Sequence, residues 1–146
     1  MRNIHEIEIE NLIEKAKAAS ERAYAPYSGF PVGACLKGES GAYYMGANIE
    51  NASFAAGICA ERVSLTRAVY EGERGFDAIA VVSNTNPPAT PCGMCLQALS
   101  EFCDGEMPVI CANREGEYKV YAFSELLPYP FKMNNTENVS APDNEE

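Results

Sequence analysis

Basic side chains and histidines are scarce in this chain of 146 residues, and this scarcity limits the partners that it can have. Its 11 Lys and Arg residues are outnumbered by 21 Asp and Glu residues, for a formal net charge of −10 at pH 7. An acidic protein repels nucleic-acid phosphates, so a neutral small molecule is a better candidate ligand than a polynucleotide. His5 is the only histidine and is expected at the surface, so a zinc site here would have to use thiolates.

Long apolar runs are missing as well. The longest, such as residues 78–82 (AIAVV), are far too short to cross a bilayer, so no membrane association is expected. Residues 1–10 are acidic and lack the apolar core of a signal peptide, which favours a cytoplasmic protein. In that reducing compartment, the six cysteines are expected to bind metal or take part in chemistry rather than form disulfides.

The chain has the usual length of one domain, and residues 1–132 are expected to fold as a single unit. We find no internal repeat. Residues 133–146 are polar and acidic and contain no aromatic side chain, which predicts a disordered tail.

Helical and extended patterns alternate along the first 132 residues. Apolar side chains at helical spacing predict three helices, at residues 7–23, 59–71 and 92–103. Alternating or continuous apolar runs predict five strands, at residues 32–37, 42–47, 76–83, 108–112 and 116–122. The order of these elements predicts an α/β protein with one mixed, five-stranded sheet covered by helices.

Cys92 and Cys95 lie three positions apart in TPCGMCL (residues 90–96) and admit three interpretations. A redox dithiol at a helix start needs neither a third cysteine nor a nearby carboxylate. A closed structural zinc site needs four protein ligands, usually as two close pairs, and only one such pair is present. The third interpretation is a catalytic metal site, which keeps one coordination position open.

Cys59 and Glu61 favour the catalytic interpretation. They lie in GICAER (residues 57–62), where the second helix is predicted to begin. With the cysteine pair they supply three thiolates, one open position and one carboxylate that is not a ligand, a constellation typical of zinc deaminases. The other three cysteines are expected to pack as small apolar side chains; they are Cys35, Cys103 and Cys111.

At these residues the chain resembles the small cytidine deaminases in their three-cysteine form, over roughly residues 10–131. Five segments in the family's order carry the resemblance: residues 24–34 (YAPYSGFPVGA), 46–53 (GANIENAS), 59–62 (CAER), 91–97 (PCGMCLQ) and 126–131 (LLPYPF). It implies a three-layer α/β/α sandwich and a homotetramer with shared active sites and one Zn²⁺ per subunit. The implied reaction is hydrolytic deamination of cytidine and deoxycytidine to uridine and deoxyuridine plus ammonia, in pyrimidine salvage.

The resemblance implies a chemical role for five side chains. Cys59, Cys92 and Cys95 would hold the zinc, and Glu61 would move protons between water and the pyrimidine ring. Arg62 would donate hydrogen bonds to the cysteine sulfurs and so offset their negative charge.

It also implies a set of substrate contacts. Asn48 and a buried Glu50 are expected to bind the ribose, notably its 3′-hydroxyl, which favours a nucleoside over a nucleotide. Phe30 is expected to stack on the base, and the Ala60 backbone to accept a hydrogen bond from the amino group of the ring.

Two positions depart from the family pattern. Leu96 replaces the arginine that is common after the second cysteine of the pair, and Phe54 replaces the tyrosine of many relatives. Phe54 and Phe131 are expected to complete the pocket across a subunit boundary, and Leu96→Arg is expected to be tolerated. The departures leave open a deaminase of another aminopyrimidine nucleoside or of a nucleoside antibiotic, and more remotely a non-catalytic protein that binds zinc or nucleosides.

Overall fold

One five-stranded sheet organises the protein. The computed structural model describes residues 1–133, so the predicted tail at residues 133–146 lies outside the described residues except for Met133. The strands are β1 (Gly33–Gly38), β2 (Tyr43–Ala47), β3 (Phe76–Ser83), β4 (Pro108–Asn113) and β5 (Tyr118–Ala122). The helices are α1 (Glu6–Ser20), α2 (Ala60–Tyr70), α3 (Gly93–Ser100) and α4 (Phe123–Leu126), with a 3₁₀ turn at Phe54–Ala56.

The sheet is mixed, as the sequence predicts. Its strand order is β2-β1-β3-β4-β5. Neighbouring strands are antiparallel except for β3 and β4, which run parallel. A parallel pair needs a crossover connection, and α3 lies in that connection. The crossover therefore brings the start of α3, with its cysteine pair, to the end of the sheet where β3 finishes.

Each face of the sheet has its own core, because successive strand side chains point to opposite sides. The core beneath α1 includes Leu12, Ala16, Ala80, Val82 and Ile110. The core beneath α2 and α3 includes Leu65, Leu99, Ile79, Val81 and Val109. The three layers confirm the predicted α/β/α sandwich.

Gly46 permits a close approach between α2 and β2. A Cβ atom at this position would lie 2.5 Å from the amide nitrogen of Ser64 and 2.6 Å from the carbonyl oxygen of Ala60. Both distances are far shorter than any tolerated carbon contact, so a side chain here would push the helix away from the sheet. Glycine thus fixes the height at which α2 begins, and with it the position of Cys59.

Two predicted helices are shorter in the structure. The first ends at Ser20 rather than residue 23, because the chain turns at Glu21 and Tyr24 then pairs with Ile49 in an isolated bridge. The third ends at Ser100 rather than residue 103, so its predicted last turn is wrong. Cys103 lies beyond the helix, although it still packs against the core beneath α2 and α3.

The other two non-motif cysteines lie where the sequence predicts them, in strands. Cys35 and Cys111 are fully buried, one in each core. Burial raises the pKa of Cys35, Cys103 and Cys111 to about 12, so these thiols stay protonated at neutral pH. The structure thereby confirms their expected packing role.

Two short elements were not predicted, the 3₁₀ turn and α4. A turn of three residues and a helix of four are too short to show a hydrophobic period. Among the helices of residues 1–133, none combines the length and the apolar character that crossing a lipid bilayer requires.

Candidate active site and metal centre

The three motif cysteines converge at the first turns of two helices. Cys59 is the N-cap residue of α2 and Cys92 is the N-cap residue of α3, while Cys95 lies in the first turn of α3. The Sγ atoms all lie within 4.8 Å of one another, and those of Cys92 and Cys95 are 3.4 Å apart. Cys59, which precedes the pair by 33 and 36 positions in the chain, thus forms one sulfur cluster with it.

The geometry of the cluster suits zinc. Tetrahedral coordination with Zn–S bonds of about 2.3 Å places the sulfurs about 3.8 Å apart, within the range that the cluster spans. Within residues 1–133, the group able to hold a metal comprises these three side chains and no fourth ligand residue. Three thiolates without a fourth protein ligand leave one coordination position for water or substrate, as in catalytic zinc sites.

Cys59 is the sulfur of the cluster whose surroundings favour the thiolate form. The hydrogen bond from Cys95 lowers the pKa of Cys59 to about 5, with a further contribution from Arg62. The same bond, together with burial, raises the pKa of Cys95, so Cys59 is the sulfur that ionises first. The positive end of the α2 macrodipole also favours a negative charge at its N-cap.

Arg62 lies on the same side of α2 as the sulfurs. Its Nη2 atom is 3.9 Å from the Sγ atom of Cys59, and its Nε atom is buried with no hydrogen-bond partner among the described residues. Burial disfavours its charge, but the neighbouring Cys59 and Cys95 outweigh that cost and raise the pKa of the guanidinium. A half-buried cationic donor is therefore available to three thiolates, which fits an anionic metal centre.

Glu61 is the buried carboxyl group of this site, with 4% of its surface exposed. It lies in the first turn of α2, two positions after Cys59. Burial raises the pKa of the Glu61 carboxyl, and the negative charge of Cys59 raises it further. A raised pKa makes the carboxylate a stronger base and lets the same group return the proton later, which is the requirement for a general base that then acts as an acid.

A cleft of about 380 Å³ opens beside the sulfurs, within the usual size range of small-molecule sites. Its lining includes Cys59, Cys92, Glu61 and Arg62 from the metal side. The predicted substrate residues that also line it are Phe30, Asn48, Glu50, Phe54 and Ala60. Every predicted site residue therefore lines the cleft except Phe131 and Cys95, and Cys95 is buried behind the cleft within the sulfur cluster.

Asn48 is held by two backbone contacts. Its Oδ1 atom accepts a hydrogen bond from the amide of Val32 at 2.9 Å, and its Nδ2 atom donates to the carbonyl oxygen of Phe30 at 2.9 Å. An amide side chain has two donor hydrogens and two acceptor lone pairs, so one of each remains for a ligand. Asn48 thus orients the Phe30 segment and can still bind a hydroxyl group in the cleft.

Glu50 is half-buried in the single chain rather than buried as expected. It lies in a loop just after the isolated bridge at Ile49. The hydroxyl and amide of Ser28, with the amide of Tyr27, donate to its carboxylate and lower its pKa. Glu50 is therefore an ionised acceptor at neutral pH.

Phe54 and Phe131 are both largely exposed, at 81% and 74%. The Phe54 ring lies at the mouth of the cleft and meets Tyr27 edge to face, with 5.9 Å between centroids. Phe131 does not line the cleft of its own chain. Its backbone is fixed by Gln97 of α3, whose side chain donates to the Phe131 carbonyl and accepts from its amide, both at 3.0 Å.

Leu96 belongs to the apolar core rather than to the surroundings of the sulfurs. It is 5% exposed and packs in the core beneath α2 and α3. This packing argues against the expectation that Leu96→Arg would be tolerated, because a guanidinium in that core would lack water and a partner.

Sequence reasoning missed two polar side chains, Ser28 and Gln97. Ser28 lies within the motif YAPYSGFPVGA, and Gln97 ends PCGMCLQ, so both were within segments already noted. Their contacts to Glu50 and Phe131 join positions 22 and 34 residues apart, which no local pattern reveals.

The comparisons with known proteins agree with this geometry. The family described as "Cytidine and deoxycytidylate deaminase zinc-binding region" matches residues 6–111. A cytidine deaminase of Sporosarcina psychrophila is 46% identical over 129 residues, which cover 88% of this chain and 95% of that protein. A cytidine deaminase of Halalkalibacterium halodurans is 47% identical over 120 residues, 82% of this chain and 91% of that one.

A solved structure extends the agreement to the backbone. The crystal structure of cytidine deaminase from Burkholderia pseudomallei superposes with a TM-score of 0.81 at 45% identity, covering 84% of this chain and 98% of that chain. The matched region includes all three converging cysteines and Glu61. This chain belongs to the cytidine and deoxycytidylate deaminase family, and it contains that family's zinc-binding region.

Proposed function

We propose that this protein hydrolyses cytidine and deoxycytidine to uridine and deoxyuridine, with release of ammonia. The observation that carries the proposal is the meeting of three cysteine sulfurs and one buried glutamate at a single cleft. The relatives named above are cytidine deaminases, and this chain matches them over most of their length. They therefore support the choice of substrate.

Cys59, Cys92 and Cys95 would hold the metal. A zinc ion bound there supplies a Lewis acid and lowers the pKa of a water molecule from about 16 towards 7. Three thiolates and a divalent ion carry a net charge of −1, so the protein has to supply compensating positive potential. Arg62 and the N-terminal ends of α2 and α3 provide it.

Glu61 moves the protons. Its carboxylate takes one proton from the attacking water and delivers it to ring nitrogen N3 as oxygen adds to C4. The same carboxyl group then takes the proton of the new C4 hydroxyl and delivers it to the exocyclic nitrogen. The C4–N bond breaks, ammonia leaves, and C4 becomes the carbonyl carbon of uridine. The raised pKa of Glu61 suits both directions of transfer, and such a group contributes roughly 10²–10⁴ in rate.

The loop side of the cleft would select the substrate. Phe30 stacks on the base, the Ala60 carbonyl accepts from the amino group, and Asn48 and Glu50 bind the ribose. An ionised Glu50 repels a phosphate on the sugar, so nucleosides are favoured over nucleotides.

We also infer a homotetramer in which Phe54, at the mouth of its own cleft, and Phe131 complete the pocket across a subunit boundary. The exposure of both rings in the single chain supports this, because large apolar side chains at the surface often mark interfaces. Residues 1–132 would form the single domain, with residues 133–146 as an acidic tail. A place in pyrimidine salvage in the cytoplasm follows from the proposed substrates and agrees with six free cysteines.

The test follows the loss of cytidine absorbance with protein purified without chelator. Turnover is expected for cytidine and deoxycytidine, loss of turnover after zinc is removed, and recovery when zinc is restored. CMP is expected to react far more slowly than cytidine. Zinc-loaded, folded protein that leaves cytidine unchanged would refute the proposal, and equal turnover of CMP would refute the nucleoside assignment.

A further inference from the structure

The hydroxyl group of Ser28 lies between two of the substrate residues. It donates a hydrogen bond to Oε2 of Glu50 at 2.5 Å and accepts one from the amide of Phe30 at 3.0 Å. A free serine hydroxyl rotates, but the bond from Phe30 occupies an oxygen lone pair and limits that rotation. The Ser28 proton is therefore directed towards Glu50.

The remaining contacts of Glu50 leave few positions for a ligand. Its Oε1 atom accepts hydrogen bonds from the amides of Tyr27 and Ser28, both at 3.0 Å. A carboxylate offers about four acceptor positions, two on each oxygen. With two used on Oε1 and one on Oε2, a single position remains, and it is on Oε2.

The loop that supplies these donors is itself fixed. Asn48 binds the backbone on either side of Pro31, at the Phe30 carbonyl and the Val32 amide. Ser28 thus acts from a segment that is tied to the sugar side of the cleft at two further points. Because Ser28 is exposed and belongs to neither core, its hydroxyl contributes to the orientation of Glu50 more than to the fold.

We propose that Ser28 is a positioning residue that holds the Glu50 carboxylate so that one acceptor position faces one sugar hydroxyl. The inference rests on the proposed function for the identity of the ligand, a nucleoside. In this proposal Ser28 makes no contact with the substrate. Its hydroxyl restricts the Glu50 side chain to one rotamer. Selectivity for the sugar hydroxyl should then depend on the Ser28 hydroxyl as well as on Glu50.

The experiment measures binding of uridine and 3′-deoxyuridine by calorimetry to the zinc-loaded, full-length protein. The ratio of the two dissociation constants reports the contact to the 3′-hydroxyl without any need for turnover. A hydrogen bond to a charged group is worth enough to set this ratio at ten or more in the unmodified protein. Ser28→Ala is expected to reduce the ratio about tenfold, mainly through weaker binding of uridine.

Two variants separate positioning from general damage. Ser28→Thr keeps the hydroxyl and is expected to preserve most of the selectivity. Ser124→Ala removes an exposed serine of α4, outside both walls of the cleft, and it is expected to leave both dissociation constants unchanged.

Each remaining outcome overturns a defined statement. Full selectivity in Ser28→Ala, with selectivity lost in Glu50→Ala, would overturn the role of Ser28 and leave the proposed function intact. Selectivity retained in Glu50→Ala would overturn both residues' roles. Selective uridine binding that depends on Ser28, without any cytidine turnover, would uphold the inference and refute the proposed function.

Discussion

The two sides of the cleft are built by different means. The helix wall, formed by the first turns of α2 and α3, carries Cys59, Cys92, Cys95 and Glu61 on elements that pack into a core. The loop wall, residues 27–32 and 48–54, carries the proposed substrate residues on irregular backbone that is held by side-chain hydrogen bonds. The reacting groups thus lie on rigid elements, and the selecting groups lie on loops that can change without loss of the fold.

This difference predicts two kinds of variant. Changes in the helix wall should affect metal content, kcat or folding, whereas changes in the loop wall or in residues that reach it should affect KM with little effect on stability.

The largest effect is expected for Cys92→Ser. Cys92 is the exposed member of the cluster, so its replacement should spare the fold while it removes one of three ligands. We expect loss of bound zinc, measured by metal analysis, and no measurable deamination of cytidine. Cys103→Ala is the matched control, because Cys103 lies outside the cluster and should keep full zinc content. An active, zinc-containing Cys92→Ser protein would refute the assignment of Cys92 as a zinc ligand.

Glu61→Gln should separate metal binding from proton transfer within the helix wall. The amide has nearly the same shape as the carboxyl group but cannot exchange the proton, so kcat is expected to fall about 10³-fold. Zinc content should stay at one ion per subunit, since Glu61 is not part of the sulfur cluster. Substantial residual turnover at full zinc content would reject Glu61 as the group that moves the proton.

Leu96→Arg tests whether the helix wall depends on the core beneath it. An unpaired guanidinium at this buried position should lower the free energy of unfolding by about 3 kcal/mol. Leu96→Met, which conserves volume, should lower it by less than about 1.5 kcal/mol. Denaturant unfolding of the zinc-loaded proteins measures both. Equal stabilities would show that the arginine finds an anionic partner or reaches solvent.

The helix wall is also the part that the sequence predicts best. CAER and PCGMC are short continuous segments, and each lies at the start of a helix. Their spacing of ligand residues can therefore be recognised in the sequence alone. The sheet was predictable for a similar reason, since continuous apolar runs such as β3 mark buried strands.

The loop wall could be predicted only as a set of motif residues. The bond from Ser28 to Glu50 depends on how two loops fold against each other, and so does the half-burial of Glu50. Leu96 shows a related limit. A departure from the family pattern identifies an unusual position, but only the packing around α3 shows that it faces the core.

Phe131→Ala should change substrate affinity alone. Its ring is exposed and belongs to neither core, so stability and zinc content should hardly change. Loss of one buried aromatic contact with the substrate should raise the KM for cytidine about tenfold with kcat nearly constant. Tyr129→Ala is a suitable control, because Tyr129 is 92% exposed in the same segment and has no proposed role.

A mixture of variants tests whether Phe131 serves a neighbouring subunit. Glu61→Gln chains lack turnover but retain Phe131, and Phe131→Ala chains retain Glu61 but bind substrate weakly. In hybrid tetramers, some sites would combine an intact Glu61 with a Phe131 ring from the other chain, so a low-KM component should reappear on co-expression. If each ring acted on its own chain, every active site in the mixture would keep the raised KM. The absence of a low-KM component in verified hybrids would therefore reject the shared site. The hybrid is needed because the Phe131→Ala protein by itself has a raised KM whether the ring serves its own site or a neighbour's site.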